Sequence, residues 1–496
     1  MLDRRELLKL AALAAAGCAT APARNDEAAY VNDVHSQINS TYVSRIRRPR
    51  SVDELRRLMG STSGDFSIAG GRHAMGGQQF AEHTTLLDTT AMTHVLGLDE
   101  HSGVVDVEAG IQWPELVAQS SSSTWGIRQK QTGADRLSLG GALAANVHGR
   151  GLTMKPIIGD VESFVLLDPG GEAIECSRTK NQELFAYVIG GYGLFGVVAS
   201  VRLRLSPRQK VRRVVELETI ENLMRRFDER IAAGFLYGDF QFSINHSSEN
   251  FLRKGVFSCY EPVPGDTPIH AQAELKPEDW MRLLQLAHAD KEQAFERYAG
   301  YYLSTNGQVY LSDQHQLSFY PDDYHRTLDP LLRRADVPSA SRGRTRRPPS
   351  NSRATEMITE LYVPRTRLAE LMQAAAEELR RRQTNVVYGT VRLIERDDES
   401  FLAWAKQPYA CVIFNLHFAH DPAGMARAAD DFRALIDLAL AREGSYFLTY
   451  HRWARREQVE RAYPQFHAFL KAKQRFDPRQ RFQSEWYRHY ARMFAL

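Results

Sequence analysis

The stretch Gly70-Gly71-Arg72-His73-Ala74-Met75-Gly76-Gly77-Gln78-Gln79-Phe80 constrains this chain more than any other. Four glycines in eight residues rule out a helix or a strand, because glycine favours backbone conformations that neither uses. The loop follows Phe66-Ser67-Ile68-Ala69, a short strand-like run. Successive backbone N–H groups in such a turn form a concave nest for an anion such as a pyrophosphate. A histidine sits inside that nest. The pattern predicts a ligand loop.

A chain of 496 residues is too long for one ordinary core, so two domains are expected. A formal net charge of +3 gives no global sign of nucleic-acid binding. At the N-terminus, Arg4-Arg5 precede an apolar run from Leu10 to Ala16 that ends in Gly17-Cys18. That order is an export signal, and the paired arginines fit the twin-arginine type. The apolar part is too short to span a bilayer. Ala16-Gly17-Cys18 also fits lipoprotein processing, which would leave Cys18 acylated. An exported protein, periplasmic or lipid-anchored to a membrane through Cys18, is the expectation. The other cysteines, Cys176, Cys259 and Cys411, match no metal spacing and read as buried thiols.

Ser51-Val52-Asp53-Glu54 predicts a capped helix start. Thr85–Asp88 and Val104–Gly110 read as strands, and Trp113-Pro114 opens a helix. A second glycine-rich segment runs from Gln131 to Gly151. Its small residues from Gly140 to Ala145 permit close approach of another surface. Phe164–Ile174 reads as a hairpin around Pro169-Gly170-Gly171. Gly191-Tyr192-Gly193-Leu194-Phe195-Gly196 matches the dinucleotide fingerprint in letters but not in context. That fingerprint needs a strand before it and a helix after it. Here a helix precedes and the strand Val197–Leu205 follows, so a Rossmann domain is rejected. From 208 onward helices lengthen; Pro277-Glu278-Asp279 opens a segment read as helical to Tyr298. Residues 339–353, rich in arginine from Arg342 onward, read as a solvated loop.

Three runs carry polar side chains on one face. In Val386–Ile394, Tyr388, Thr390 and Arg392 share a face, because strand side chains alternate. In Val412–Phe418, Asn415 and His417 do so. Tyr446–His451 is read as a third strand, ending in Tyr450. Together they predict a substrate-binding sheet, the alternative being a sheet with one wet side.

With these residues assembled, the chain resembles FAD-dependent flavoproteins of the vanillyl-alcohol oxidase/p-cresol methylhydroxylase (PCMH) superfamily. The segments that carry the resemblance are Gly70–Gly77, Ser138–Gly149 and Gly190–Val198. Tyr463-Pro464, Phe476-Asp477-Pro478 and Phe482-Gln483-Ser484 resemble the C-terminal segment of the aldonolactone and alditol oxidase branch and of decaprenylphosphoryl-ribose oxidase. Arg392 with Asp397-Asp398, and His417-Phe418, resemble the alditol oxidase pattern. The resemblance implies an α+β fold. A PCMH-type FAD-binding domain of two α/β subdomains spans 38–207, after an export signal and spacer at 1–27. A substrate (cap) domain on a largely antiparallel sheet covered by helices spans 208–452. A C-terminal segment, 453–496, returns to the FAD domain.

The resemblance further implies FAD contacts at Gly70, Gly71, Arg72, His73, Ala74, Met75, Gly76, Gly77, Gln78, Gly133, Ala134, Asp135, Ser138, Gly140, Gly141, Ala142, Asn146, His148, Gly149, Gly196, Val197 and Val198. In the family the loop histidine is often bound covalently to the flavin; His73 holds that place, with Arg72 and Ala74 replacing a glycine and a serine. The branch's active-site lysine falls on Tyr450, which carries no permanent charge. The implied reaction is oxidation of a CH–OH group of a sugar, alditol, lactone or related alcohol. His417 would act as base, Arg392 would hold an oxygen, and Tyr450, Asn415 and Tyr388 would orient the substrate. Oxygen or a redox partner would accept the electrons. The alternatives are a double-bond reductase of the sterol-reductase type and a non-catalytic flavin-binding export protein.

Overall fold

The computed structural model describes residues 28–270, 273–318 and 354–495. The export segment with Arg4, Arg5 and Cys18, and the basic 339–353 stretch, lie outside the described residues. Among the described residues no helix is long and apolar enough to cross a membrane.

The N-terminal half holds two sheets. Arg45–Arg47, Thr85–Asp88 and Phe66–Ala69 form a parallel three-stranded sheet with Thr85–Asp88 at its centre. The helix Val52–Ser61 links two of these strands; the Ser51 hydroxyl accepts from the Glu54 N–H at 3.2 Å, the cap its sequence predicted. The second sheet is antiparallel and five-stranded, in the order Ala173–Ser177, Val161–Leu167, Val197–Arg204, Val104–Glu108, Val95–Asp99. The predicted Pro169-Gly170-Gly171 hairpin joins its first two strands. Val197–Arg204 follows the 191–196 glycine turn, so the strand comes after the turn, as the rejection of a Rossmann unit required.

The C-terminal half is built on an eight-stranded antiparallel sheet. Its order is Val309–Leu311, Lys210–Thr219, Lys254–Val263, Tyr237–Phe242, Asn385–Ile394, Tyr409–Ala419, Ala354–Pro364, Ser445–Tyr446. Alternation splits the strands between two helical layers. On one face Phe257 packs edge-on against Phe227 of the helix Ile220–Ala232, and Phe418 against Phe432 of Pro422–Leu440. On the other face Val256 packs against Ala299 of the helix Lys291–Ser304. That helix pairs with Pro277–Ala289; Asp290, whose carboxylate accepts from Gln293 N–H, separates two helices where the sequence reading had one segment. The Tyr446–His451 run is corrected too: only Ser445 and Tyr446 pair as strand, and 447–450 turn away.

The C-terminal segment closes the molecule by lying along the first sheet. Phe66 N–H donates to Arg481 C=O at 2.6 Å and Gln483 N–H to Phe66 C=O at 2.7 Å. The buried pair Lys473–Asp477 anchors the turn before it, and Asp477 also accepts from the Arg481 and Phe482 amides. Cys176, Cys259 and Cys411 are free and buried, as read from their spacing.

Candidate active site

The glycine loop and the second glycine segment meet edge to edge. A Cβ on Gly70 would lie 2.0 Å from Ser138 Oγ, and one on Gly71 would lie 2.2 Å from the Arg136 carbonyl oxygen. No side chain fits at either position, which is why this loop is glycine. Arg72 adopts a positive φ of 59°, where glycine is normally preferred, and its guanidinium pairs with Asp88 at 3.3 Å. Ser138 caps the helix Leu139–Ala145 by accepting from Gly141 N–H. These loops, with Gly193–Val198, wall one side of a cavity of about 480 Å³, within the usual range for a ligand site.

His73 lies on that wall. Its Nδ1 shares a 2.8 Å hydrogen bond with Nε2 of His35, and its ring also bonds the backbone of Arg136. Burial, then the neighbouring His35, push its pKa down to about 3, so the ring is neutral at ordinary pH. His35 carried no signal in the sequence, since it precedes the first recognised motif.

Of the cofactor residues read from sequence, Gly70, Gly71, Arg72, His73, Ala74, Met75, Gln78, Gly133, Ala134, Ser138, Gly140, Gly141, His148, Gly196, Val197 and Val198 line the cavity. The others have different work. Gly76 and Gly77 face the C-terminal part of the chain: Gly76 N–H donates to Thr449 C=O and Trp486 N–H to Gly77 C=O. Asp135 pairs with Lys130 at 2.6 Å. Ala142 is buried in the core, and Gly149 packs on Lys130. Asn146 ends its helix in a left-handed turn, and its side-chain amide donates to Asp397 at 2.8 Å. Asp397 is thereby held by Asn146, and Asp398 pairs with Lys155 at the surface.

The opposite wall is the sheet, where adjacent strands put their residues in rungs. Tyr362, Cys411 and Arg392 form one rung, and Ile358, Asn415 and Tyr388 another. Glu356 stands opposite His417 at the end. Arg392, Tyr388, Asn415 and Tyr450 all line the cavity. His417 does not. It shares their face of the sheet, but the cavity ends at Glu356, 3.8 Å from His417 Nδ1. Glu356 also meets His288 Nε2 at 2.9 Å and accepts from Asn415 at 3.0 Å. His417 therefore reaches the cavity wall through its contact with Glu356, not as a lining residue itself.

Sequence reading missed Glu360. Its carboxylate accepts from Tyr362 OH at 2.6 Å, Tyr450 OH at 3.3 Å and Cys411 Sγ at 3.1 Å, and meets His148 Nε2 at 2.5 Å. His148 Nδ1 faces the Gly149 carbonyl, an acceptor only, at 3.1 Å. The His148 ring is thus held between the Gly149 carbonyl and the Glu360 carboxylate. Burial opposes the charge on Glu360, but His148 and the hydroxyl donors outweigh it and hold the carboxyl down to about 2. Arg392 is 4% exposed on the same wall. Among the described residues no carboxylate pairs with it, and its Nε lacks a hydrogen-bond partner. A buried guanidinium nitrogen left without a partner is costly. His148, Glu360 and Cys411, and separately His288, Glu356 and His417, bring ligating atoms within 4.8 Å of one another; each group is held internally by the contacts just described.

Glycine-walled loops on one side and a polar sheet on the other fit a flavin nucleotide. Residues 43–177 match the family model described as "FAD binding domain". The chain therefore carries a PCMH-type FAD-binding domain, and it is an FAD-dependent oxidoreductase. Over 81% of its length it is 24% identical to the L-gulono-1,4-lactone dehydrogenase of Mycobacterium tuberculosis, covering 85% of that protein. An uncharacterized oxidoreductase of Rhodococcoides fascians is 29% identical over 34% of the chain, and cytokinin dehydrogenase 1 of Arabidopsis thaliana is 29% identical over 33%. Those two matches span only 39% and 30% of the respective relatives.

Proposed function

We propose that the protein oxidises a CH–OH group of a sugar, lactone, alditol or related alcohol. The single observation that carries this reading is Arg392, a buried guanidinium on the cavity wall whose Nε lacks a partner among the described residues. The extended similarity to a lactone dehydrogenase supports the same donor class. Bound FAD supplies the hydride acceptor. Arg392 holds the substrate oxygen and, in place of the lysine that Tyr450 replaces, contributes the fixed positive charge. Glu360 accepts the hydrogen bond of the substrate hydroxyl. Once hydride has left the carbon, that hydroxyl is strongly acidic, and a carboxylate of depressed pKa suffices to take its proton. His148, Tyr362 and Tyr450 hold Glu360 in place. His417, with His288 and Glu356, sits where a proton would pass onward from the cavity's far end.

Covalent FAD attachment through His73 belongs to the same proposal: the ring is neutral, buried and oriented by His35. Acid denaturation is expected to leave the yellow colour with the wild-type chain and to free it from His73→Ala; colour freed from both rejects the linkage. Export through the Arg4-Arg5 segment and electron delivery to oxygen or a redox partner complete the proposal. The test of the oxidation itself is anaerobic flavin bleaching by an alcohol panel. Bleaching by alcohols supports it; bleaching only by a dithionite control, with enone substrates instead reoxidising the reduced flavin, favours the reductase alternative.

A further inference from the structure

The cavity whose glycine walls would take FAD also extends across the sheet. It reaches from Glu360 on Ala354–Pro364 to Gln241 and Phe242 on Tyr237–Phe242, three strands away. At about 4.8 Å per strand that is about 14 Å. Polar groups gather at two places. Glu360, Arg392 and Tyr450 stand near the glycine loop, to which the Tyr450 turn is tied by the Thr449 carbonyl. Glu356 stands at the far end, already engaged by His288 and Asn415. Between and beside them the side walls are mostly apolar, with Leu283, Leu284, Ala287, Phe295 and Val387; the polar members Gln241, Tyr388 and Asn415 are spaced along the sheet, and Tyr298 stands on the helix Lys291–Ser304. Hydroxyls placed against the helix side, at Leu283, Leu284, Ala287 and Phe295, would find few partners.

We propose that the substrate is an amphipathic alcohol. Its carbinol head is held at Glu360 and Arg392, and an aliphatic or aryl arm fills the limb between the sheet and the helices Pro277–Ala289 and Lys291–Ser304. The proposal rests on the alcohol-oxidation reading for its head and on the apolar limb for its arm, and the experiment separates the two.

The FAD-loaded full-length protein is titrated with alkane-1,2-diols of increasing chain length, kept below their aggregation concentrations, and with sorbitol and L-gulono-1,4-lactone. Binding is measured by calorimetry and oxidation by anaerobic flavin bleaching. Each added methylene is expected to tighten binding about three- to four-fold until the limb is full. Leu284→Trp, which narrows the limb, is expected to end that gain at a shorter chain. The slope in the wild-type protein decides the matter even where the variant does not fold. Sorbitol or the lactone binding as tightly as the long diols, with no chain-length slope, would overturn the inference while leaving oxidation standing. A chain-length slope with no bleaching by any of these alcohols would support the apolar arm and reject the oxidation reading.

Discussion

Glu360 and His417 together show how position along one face of a sheet decides a role. Both lie on the cavity face of the sheet, yet only Glu360 meets the cavity, while His417 sits behind Glu356. Glu360→Gln is therefore expected to slow flavin reduction by substrate about 100-fold or more, within the usual span for a lost acid–base group. His417→Ala is expected to slow it less than about ten-fold. Rapid-mixing measurement of anaerobic flavin reduction compares them; the reverse order would return the base to His417. Alternation within Val412–Phe418 placed Asn415 and His417 on one face, and the structure agrees. What a single strand pattern could not carry was where the cavity stops. That depends on His288 and Glu356, contributed by a helix and a strand far away in sequence. Glu360 was silent for the same reason: its strand, Ala354–Pro364, is nearly all buried and shows no polar alternation to draw the eye.

Among elements, the glycine segments were the most legible because their reason is local. Gly70 and Gly71 must touch Ser138 and Arg136, and no other residue allows it. The members of those segments that turn away from the cavity, such as Asn146 and Gly77, could not be told apart from the ones that line it. Their hydrogen bonds run to Asp397 and Trp486, on elements that meet them only in the folded chain. The strand Asn385–Ile394 carries an analogous constraint at Gly389. Gly389→Ala is expected to displace Phe242 and to destabilise the fold by about 1–3 kcal/mol, the usual cost of overpacking. Urea unfolding followed by tryptophan fluorescence would measure this, and an unchanged midpoint would show that Phe242 moves freely.

For the whole molecule, the C-terminal segment ties the end of the chain to its first sheet through Asp477. Asp477→Asn leaves Lys473 buried without its carboxylate and is expected to cost about 3–5 kcal/mol, read by thermal unfolding. Buried neutral histidines set the acid limit. His73 and His451 are lowered to about 3 and His489 to about 4, each chiefly by burial. The unfolded chain binds these protons near pH 6.5 and the folded chain does not, so stability falls as pH drops below about 6.5, by up to about 1.4 kcal/mol per pH unit for His73 and His451 and by less for the part-exposed His489, where solvent screens the effect. Glu360 adds to the loss only below about pH 4.5, since its folded value is depressed to about 2. A midpoint temperature that stays flat from pH 6.5 to 4 would contradict this ordering.

The central claim is that the Arg392 and Glu360 wall presents an alcohol carbon to FAD. It is tested most directly by mixing the oxygen-free, FAD-loaded protein with an alcohol panel and following the flavin's visible band. Two-electron bleaching by an alcohol, restored by air or an added acceptor and lost in both Glu360→Gln and Arg392→Met, is the predicted result. Bleaching that persists undiminished in both variants would contradict it.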